Sequence, residues 1–182
     1  MTSAPPPLDS PRPRASDPLM IVVGIVTIVA PIVAVLAKLP SFGWLMLIVI
    51  VWGFLVWIPG YAVLIIAVAR GMLRSRGAMR VGARRTRSII WALLTSIGIV
   101  VLGLTLVDGG DTRESVQSTL TIMLGSPTSP SAAHALSETI GWVAAVAWLT
   151  GYVGLIVEWI VAAEIARRAQ PAAPRVAPPQ IG

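Results

Sequence analysis

The sequence contains no cysteine, a single histidine and only eight acidic residues. The absence of cysteine excludes a disulfide framework, a thiolate nucleophile and a cysteine-based zinc site. Charged residues make up 12% of the chain, whereas an ordinary soluble domain has about 25%. A chain with so little charge is not expected to fold as a soluble globular protein.

Four long apolar runs account for this composition. About 20 apolar helical residues cross a hydrocarbon core of about 30 Å. Glu158 is the only formally charged residue within the runs. The four runs are residues 19–37, 42–69, 89–107 and 140–163. We therefore predict an all-α fold, an integral membrane four-helix bundle.

The segments outside the spans are predicted to be disordered cytoplasmic tails. Residues 1–18 and 170–182 are rich in proline, and such compositions bury too little apolar surface to fold. Residues 19–169 then form one four-span domain. The first run is interpreted as a retained span, because it is longer than the roughly 7 to 15 apolar residues of a cleaved signal sequence.

Basic residues are distributed unevenly between the two sides of the predicted bundle. Twelve of the fourteen lie on the side that holds both termini, and only Lys38 and Arg113 lie opposite. Because basic residues in short loops set orientation, both termini are predicted to be cytoplasmic in the plasma (inner) membrane. The arginine-rich, lysine-poor composition is similar to that of small membrane proteins of GC-rich bacteria, and no motif adds to this likeness.

The connection between the second and third predicted spans is dense in arginine. Its seven arginines are Arg70, Arg74, Arg76, Arg80, Arg84, Arg85 and Arg87. Anionic lipid headgroups are the predicted partner, since each arginine near such a surface contributes about 1 kcal/mol. Docking of an acidic cytoplasmic partner is the alternative. Nucleic acid is not an expected partner, because the loop lacks aromatic residues that could stack on bases.

Glu158 is the ionisable group within the predicted spans. Carboxylates at membrane depth are functional candidates, because burying their charge is costly. Glu158 lies five positions before Ala163, which is about 7.5 Å along the helix axis. From there it can meet Arg70, Arg74 or Arg87. A structural ion pair is the favoured interpretation, and a proton or cation relay is the alternative.

The second run is longer than the bilayer requires and contains Pro59 and Gly60. A proline removes a helix hydrogen bond and a glycine adds flexibility, so this pair is a candidate hinge. A kink that serves packing alone is the other interpretation. The indole groups of Trp52, Trp57 and Trp148 fall deep in their spans. They are consistent with either packing or a binding pocket.

Small residues predict which helices pack most closely. Gly98 in the third span and Gly151 and Gly154 in the fourth allow close backbone approach, and small-xxx-small spacing recurs in the fourth span. The third and fourth spans are therefore predicted to form the closest contact. A connection of a few residues after Lys38 predicts that the first and second spans form a tight antiparallel hairpin.

The loop between the third and fourth spans is long enough to hold a short amphipathic helix. Asp111 or Thr112 is its predicted N-cap, and Gly125 is its predicted end. Its expected apolar face consists of Val116, Leu120, Met123 and Leu124. Further on, His134 and Glu138 have the i, i+4 spacing of half a metal site, but a solvated pair is favoured and no metal is predicted.

No catalytic or cofactor-binding pattern occurs in the sequence, so we expect neither an enzyme nor a bound cofactor. The predicted function is a non-enzymatic accessory or scaffold subunit of a membrane assembly, with other membrane subunits or a second copy as partner. The alternative is a small transporter or channel component that uses the Pro59–Gly60 pair and Glu158.

Overall fold

A computed structural model of the chain describes residues 17–75, 77–80, 82–110, 112, 116–126 and 128–169. The described part contains six α-helices: α1 Pro18–Lys38, α2 Trp44–Val51, α3 Phe54–Val68, α4 Ala83–Thr105, α5 Thr119–Met123 and α6 Ala132–Arg168. The stretches of helix Pro18–Ser41, Phe54–Leu73, Ala83–Thr105 and Ala132–Arg168 are long and apolar enough to cross a membrane. The predicted all-α bundle is confirmed. The predicted tail 170–182 lies outside the described residues, and so does the predicted tail 1–18 apart from Asp17 and Pro18.

The second apolar run is divided into two helices. A π-helical turn, Ala69–Leu73, extends α3, and a 3-10 turn, Leu39–Ser41, follows α1. The helical pattern is interrupted at Trp52 and Gly53, where both backbone N–H groups donate to the Ile48 carbonyl. The candidate hinge predicted from the sequence was at Pro59 and Gly60, but α3 continues through Pro59.

The level of α3 against α1 determines where α2 lies. Tyr61 of α3 donates to the carbonyl of Ile28 in α1, and Pro31 lines the same cavity as Gly60. Lys38 lies seven residues beyond Pro31, and Phe54 lies six residues before Gly60. At 1.5 Å per residue these distances are about 10 and 9 Å. Phe54 is therefore at about the same level as Lys38. Within the second apolar run, α3 crosses the bundle and α2 does not.

The helix α2 lies at one end of the bundle and is not part of a span. Its first residue, Trp44, bonds to Gly109 just beyond the end of α4, and its last residue leads to Phe54 at the level of Lys38. We call this end the Lys38 end, and the opposite end the arginine end. All residues of α2 except Met46 are exposed, so its apolar surface extends sideways from the bundle.

The contact between α4 and α6 is the most extensive in the described part of the chain. A Cβ atom on Gly98 would lie 2.5 Å from the backbone nitrogen of Trp148, and one on Gly151 would lie 2.6 Å from that of Thr95. Only glycine allows the helices to approach so closely. The predicted close contact of the third and fourth spans is confirmed.

The other helices add to this pair unequally. The next most extensive contact joins α1 to α4, where Gly103 lies against the Ala34 carbonyl. The hairpin partners α1 and α3 share a smaller contact than sequence proximity suggested. Buried side chains of α3 and its π-helical turn, Leu64, Val68 and Met72, lie toward the arginine end. The core is therefore concentrated there.

The loop at the Lys38 end is folded differently from the prediction. The N-cap of α5 is Ser118, whose side chain and backbone form a capping box with Thr121. An isolated bridge joins Asp108 to Gln117. Of the two predicted N-caps, Thr112 does not begin a helix and Asp111 lies outside the described residues. Gly125 has a φ of +67°, consistent with its predicted role at the helix end.

The helix α5 turns a polar side toward the interior of the bundle. Its threonines Thr119 and Thr121 are buried, whereas Met123 and Leu124 are exposed. The threonine side chains hydrogen-bond inside the bundle, and an apolar side chain cannot replace those bonds. Met123 and Leu124 therefore lie on the outer side of α5.

Substituting Gly98 with valine is expected to lower the free energy of unfolding in detergent by about 1 to 3 kcal/mol, the usual cost of overpacking. Gly60→Ala is the control, because its Cβ would meet nothing closer than the Tyr152 hydroxyl at 3.6 Å. Equal unfolding midpoints for the two variants would contradict the close α4–α6 contact.

Candidate functional site

The carboxylate of Glu158 is held by two arginines of α4. Its Oε1 accepts a hydrogen bond from Nη2 of Arg87 at 3.1 Å and lies 3.9 Å from Nε of Arg84. Arg84 and Arg87 are three positions apart, so they lie on the same face of α4. The predicted ion pair with Arg87 is confirmed. The second partner is Arg84, and neither Arg70 nor Arg74 pairs with Glu158 in the described structure.

Arg80 caps the π-helical turn that extends α3. Its Nε donates to the Met72 carbonyl at 2.7 Å, and its Nη2 donates to the Leu73 carbonyl at 3.3 Å. The last carbonyls of a helix lack backbone partners, and this guanidinium supplies them. Arg80 therefore stabilises the fold and is only half-exposed.

Arg85 binds the start of α1 through Asp17. The two side chains form an ion pair, and Oδ1 of Asp17 also accepts from the Met20 backbone N–H at 3.5 Å as the N-cap of α1. The hydrogen bond from Arg85 lowers the pKa of Asp17. A depressed carboxylate pKa contributes stability above the unfolded-state value, and that contribution is lost as pH falls through the folded-state value.

Two of the predicted lipid-binding arginines remain unpaired with other described residues. Arg70 and Arg74 are exposed at the arginine end, while Arg76 lies outside the described residues. The loop that appeared uniform in sequence thus contains arginines of two kinds. Those of the first kind hold the fold together, and Arg70 and Arg74 are free to meet a headgroup or a partner.

Asp108 organises the opposite end of the bundle, although no sequence pattern marks it as a functional residue. Its carboxylate accepts hydrogen bonds from the backbone N–H groups of Gly43, Leu45 and Met46 at 3.1, 2.8 and 3.0 Å. The remaining N–H of the first turn, on Trp44, donates to the Gly109 carbonyl at 3.0 Å. Two adjacent residues of a distant loop, Asp108 and Gly109, therefore bond all four N–H groups at the start of α2.

The Asp108 carboxylate also faces a buried ammonium group. Nζ of Lys38 lies 3.8 Å from Oδ2 of Asp108, and both side chains are at most 3% exposed. The same Nζ donates to the Leu106 carbonyl at 2.8 Å and to Oγ of Ser41 at 3.0 Å. Gly43 is required beside this pair, because a Cβ there would lie 2.7 Å from Asp108.

Hydroxyl groups extend this arrangement across the end of the bundle. Thr119 donates to the Ala37 carbonyl at 2.7 Å, and Ser137 donates to the Thr105 carbonyl at 2.8 Å. Their hydroxyl oxygens lie 3.2 Å and 2.7 Å from those of Ser41 and Ser118, respectively. We call these groups the Lys38 cluster, which consists of Lys38, Ser41, Asp108, Ser118, Thr119 and Ser137.

His134 does not form the solvated pair with Glu138 that the sequence suggested. Its ring is buried, with Nδ1 2.8 Å from Oγ of Ser131 and Nε2 2.7 Å from the Val116 carbonyl. Glu138 is exposed. Nε2 therefore attaches the loop to the start of α6, and Nδ1 is engaged by Ser131, the N-cap residue of the same helix. Among the described residues no group of three or more metal-ligating side chains occurs.

The candidate hinge at Pro59 and Gly60 lies in a continuous helix. The Gly60 carbonyl accepts a hydrogen bond from the Tyr152 hydroxyl at 2.9 Å, so this part of α3 is tied to α6. Whether the pair bends in function stays a prediction.

The chain matches no protein-family model, no curated protein and no solved structure. The fold and the composition of its helices define a class, that of multi-pass α-helical membrane proteins. Two polar sites have been described, the Lys38 cluster and the site formed by Glu158 with Arg84 and Arg87. Both are arranged to hold helix ends in place.

Replacing Asp108 with alanine is expected to lower the free energy of unfolding by about 3 to 5 kcal/mol, because Lys38 would stay buried without its counter-charge. Ser88→Ala is the matched control, since this hydroxyl is equally buried but has no hydrogen-bond partner among the described residues. Unfolding in mixed micelles measures both effects. A change below about 0.5 kcal/mol for Asp108→Ala, as for ordinary surface substitutions, would refute the role of Asp108.

A double-mutant cycle on Glu158→Gln and Arg87→Gln is expected to give a coupling energy of about 0.5 to 3 kcal/mol. The control cycle uses Glu164→Gln and Arg168→Gln, an exposed i, i+4 pair at 2.9 Å, for which about 0.3 to 0.5 kcal/mol is expected. Additive effects in the first cycle would show that the Glu158 ion pair does not stabilise the fold.

Proposed function

We propose that this protein is a non-enzymatic accessory or scaffold subunit of a bacterial plasma-membrane assembly, with both termini in the cytoplasm. Its task in this proposal is to present a stable set of membrane helices to larger subunits. Arg70 and Arg74 contact anionic headgroups on the cytoplasmic side. The orientation follows from the excess of arginine at one end of the bundle.

One observation carries the proposal: the buried ionisable side chains of the described structure all have partners within the chain. They are Lys38, Asp108, His134 and Glu158. A catalytic or transporting site needs groups that can exchange a partner for substrate, proton or ion. Groups already saturated by helix caps and arginines are suited to holding a shape.

The Glu158 site also favours this function over a small transporter or channel component. A relay carboxylate must release and rebind its proton or cation during each cycle. Two guanidinium groups of α4 already occupy the Glu158 carboxylate, which leaves it little room to exchange one partner for another. Two cavities among the described residues are lined almost entirely by apolar side chains, which gives water and ions little support there.

The outer surface of the helices is suited to contacts within the membrane. Ile48 of α2, Ile97 of α4 and Val157 of α6 are 56%, 60% and 53% exposed, respectively. Helix association in lipid depends on packing between such surfaces and not on a hydrophobic driving force. Partner subunits can therefore approach from several sides without disturbing the buried polar sites.

The proposal is tested by site-specific photo-crosslinking in native membranes. A photoreactive residue at Ile48, Ile97 or Val157 is expected to give, from at least one position, a discrete adduct with a larger membrane protein. That protein is expected to co-purify in stoichiometric amount in mild detergent. Leu155 is the matched control, because it is apolar, lies on α6 and is fully buried, so that no intermolecular adduct should form there.

Two results would contradict the subunit function. One is a set of adducts with lipid alone and no protein partner. The other is a purified homo-oligomer that exchanges protons or cations across proteoliposomes and loses this flux on Glu158→Gln, because that result would establish the relay instead.

A further inference from the structure

A cavity of about 230 Å³ lies between α1, α3, α4 and α6. Four of its ten lining residues are aromatic, two from α3 and two from α6, and a proline of α1 and a glycine of α3 also line it. The principal lining residues are Pro31, Trp57, Gly60, Tyr61, Trp148 and Tyr152. The cavity is distinct from both polar sites and plays no part in the proposed subunit function.

The aromatic walls are held in place by contacts with one another. The rings of Trp57 and Tyr61 are stacked with centroids 5.4 Å apart and an interplanar angle of 17°. The rings of Trp148 and Tyr152 are tilted by 44° with centroids 6.5 Å apart. Aromatic pairs at such separations add stability beyond their burial, so these walls are not expected to collapse into the space.

Both hydroxyl groups at the cavity are used within the fold. The Tyr61 hydroxyl donates to the Ile28 carbonyl at 2.7 Å, and the Tyr152 hydroxyl donates to the Gly60 carbonyl at 2.9 Å. A buried water needs two to four polar partners. Because these hydroxyls are engaged, the cavity favours an apolar occupant over water.

The cavity persists because α3 is attached at two separate places. Toward the arginine end, Leu64 and Val68 belong to the main core. At the Lys38 end, α2 leads into α3 and is capped by Asp108. Between these attachments α3 is linked to α6 by the bond from the Tyr152 hydroxyl to the Gly60 carbonyl, and Val56 at the rim is 79% exposed.

The mouth of the cavity opens sideways at membrane depth. Pro31 lies seven residues, or about 10 Å, below Lys38 along α1. Val56 and Leu149, both lining residues, are exposed on the outside of the bundle. A depth of about 10 Å falls within one leaflet of a hydrocarbon core about 30 Å thick, on the Lys38 side. The molecules that fill this layer of a bilayer are phospholipid acyl chains.

We propose that this cavity binds a single acyl chain of a phospholipid in the leaflet at the Lys38 end. An apolar cavity of about 150 Å³ is enough to hold benzene, so 230 Å³ accepts a section of a flexible chain. Ligand pockets for larger molecules occupy about 300 to 1,000 Å³, which this cavity does not reach. The aromatic rings supply broad apolar contact, and no polar group selects a headgroup.

The test uses the full chain in lipid nanodiscs that contain a trace of phosphatidylcholine with a diazirine in one acyl chain. After photolysis, mass spectrometry measures labelling at the cavity (Trp57, Tyr61 and Leu149) and at Val157, an exposed residue on the same helix as Leu149. We expect cavity labelling to exceed that of Val157 by about tenfold, the ratio that 1.4 kcal/mol of preferential binding gives.

Gly60→Leu fills the cavity from within α3 and should reduce its labelling to the level of Val157. Leu149→Trp is a second, independent filling variant at the rim, used where the first variant fails to fold. Val153→Leu is the matched control, because Val153 is exposed on α6 and does not line the cavity. Its cavity labelling should equal that of the wild type.

Two outcomes would overturn the proposal. Labelling at the cavity equal to that at Val157, and unchanged by the filling variants, would show only contact with bulk lipid. In native membranes, a protein crosslink from Trp57 that excludes the lipid probe would show that a partner helix occupies the cavity instead.

Discussion

The structure depends on one constraint, that polar groups at or near lipid must find partners inside the chain. In hydrocarbon no water can replace a missing hydrogen bond. Within a helix the backbone groups bond to one another, but N–H groups at the start and C=O groups at the end lack such partners. The described structure meets this need at both ends of the bundle, with Asp108 capping α2 and Arg80 closing the π-helical turn. Glu158, placed deeper, is neutralised by arginines of the neighbouring helix.

The features that sequence reasoning predicted correctly depend on local composition. Apolar length identified the stretches of helix able to cross a membrane, because hydrophobic thickness sets how many residues are needed. Glycine positions identified the α4–α6 contact, since only Gly98 and Gly151 allow backbones to approach so closely. Depth along the helix predicted an arginine partner for Glu158, and of the three candidates Arg87 pairs with it, whereas Arg84 was not among them. Each of these inferences needs only one span or two neighbouring spans.

The features that the sequence did not predict depend on pairs distant in the chain. Asp108 bonds residues more than 60 positions away, and nothing in its local sequence distinguishes it from an ordinary loop carboxylate. His134 was expected in solvent, but its ring is buried and forms a hydrogen bond with a carbonyl 18 positions earlier. The interruption of the second run falls at Trp52 and Gly53 and not at Pro59, through which α3 continues. A usable signal existed only in retrospect: Lys38 and Asp108 end adjacent spans on the same side.

The central claim is that the Lys38 cluster and the arginine-rich connection lie on opposite faces of one membrane. The absence of native cysteine allows a direct measurement with single cysteines at Ser75 and Thr128, both exposed and at opposite ends of the bundle. An impermeant maleimide applied to intact cells is predicted to label Thr128→Cys and to label Ser75→Cys only after the membrane is opened. Labelling of both cysteines from the same side would contradict the account.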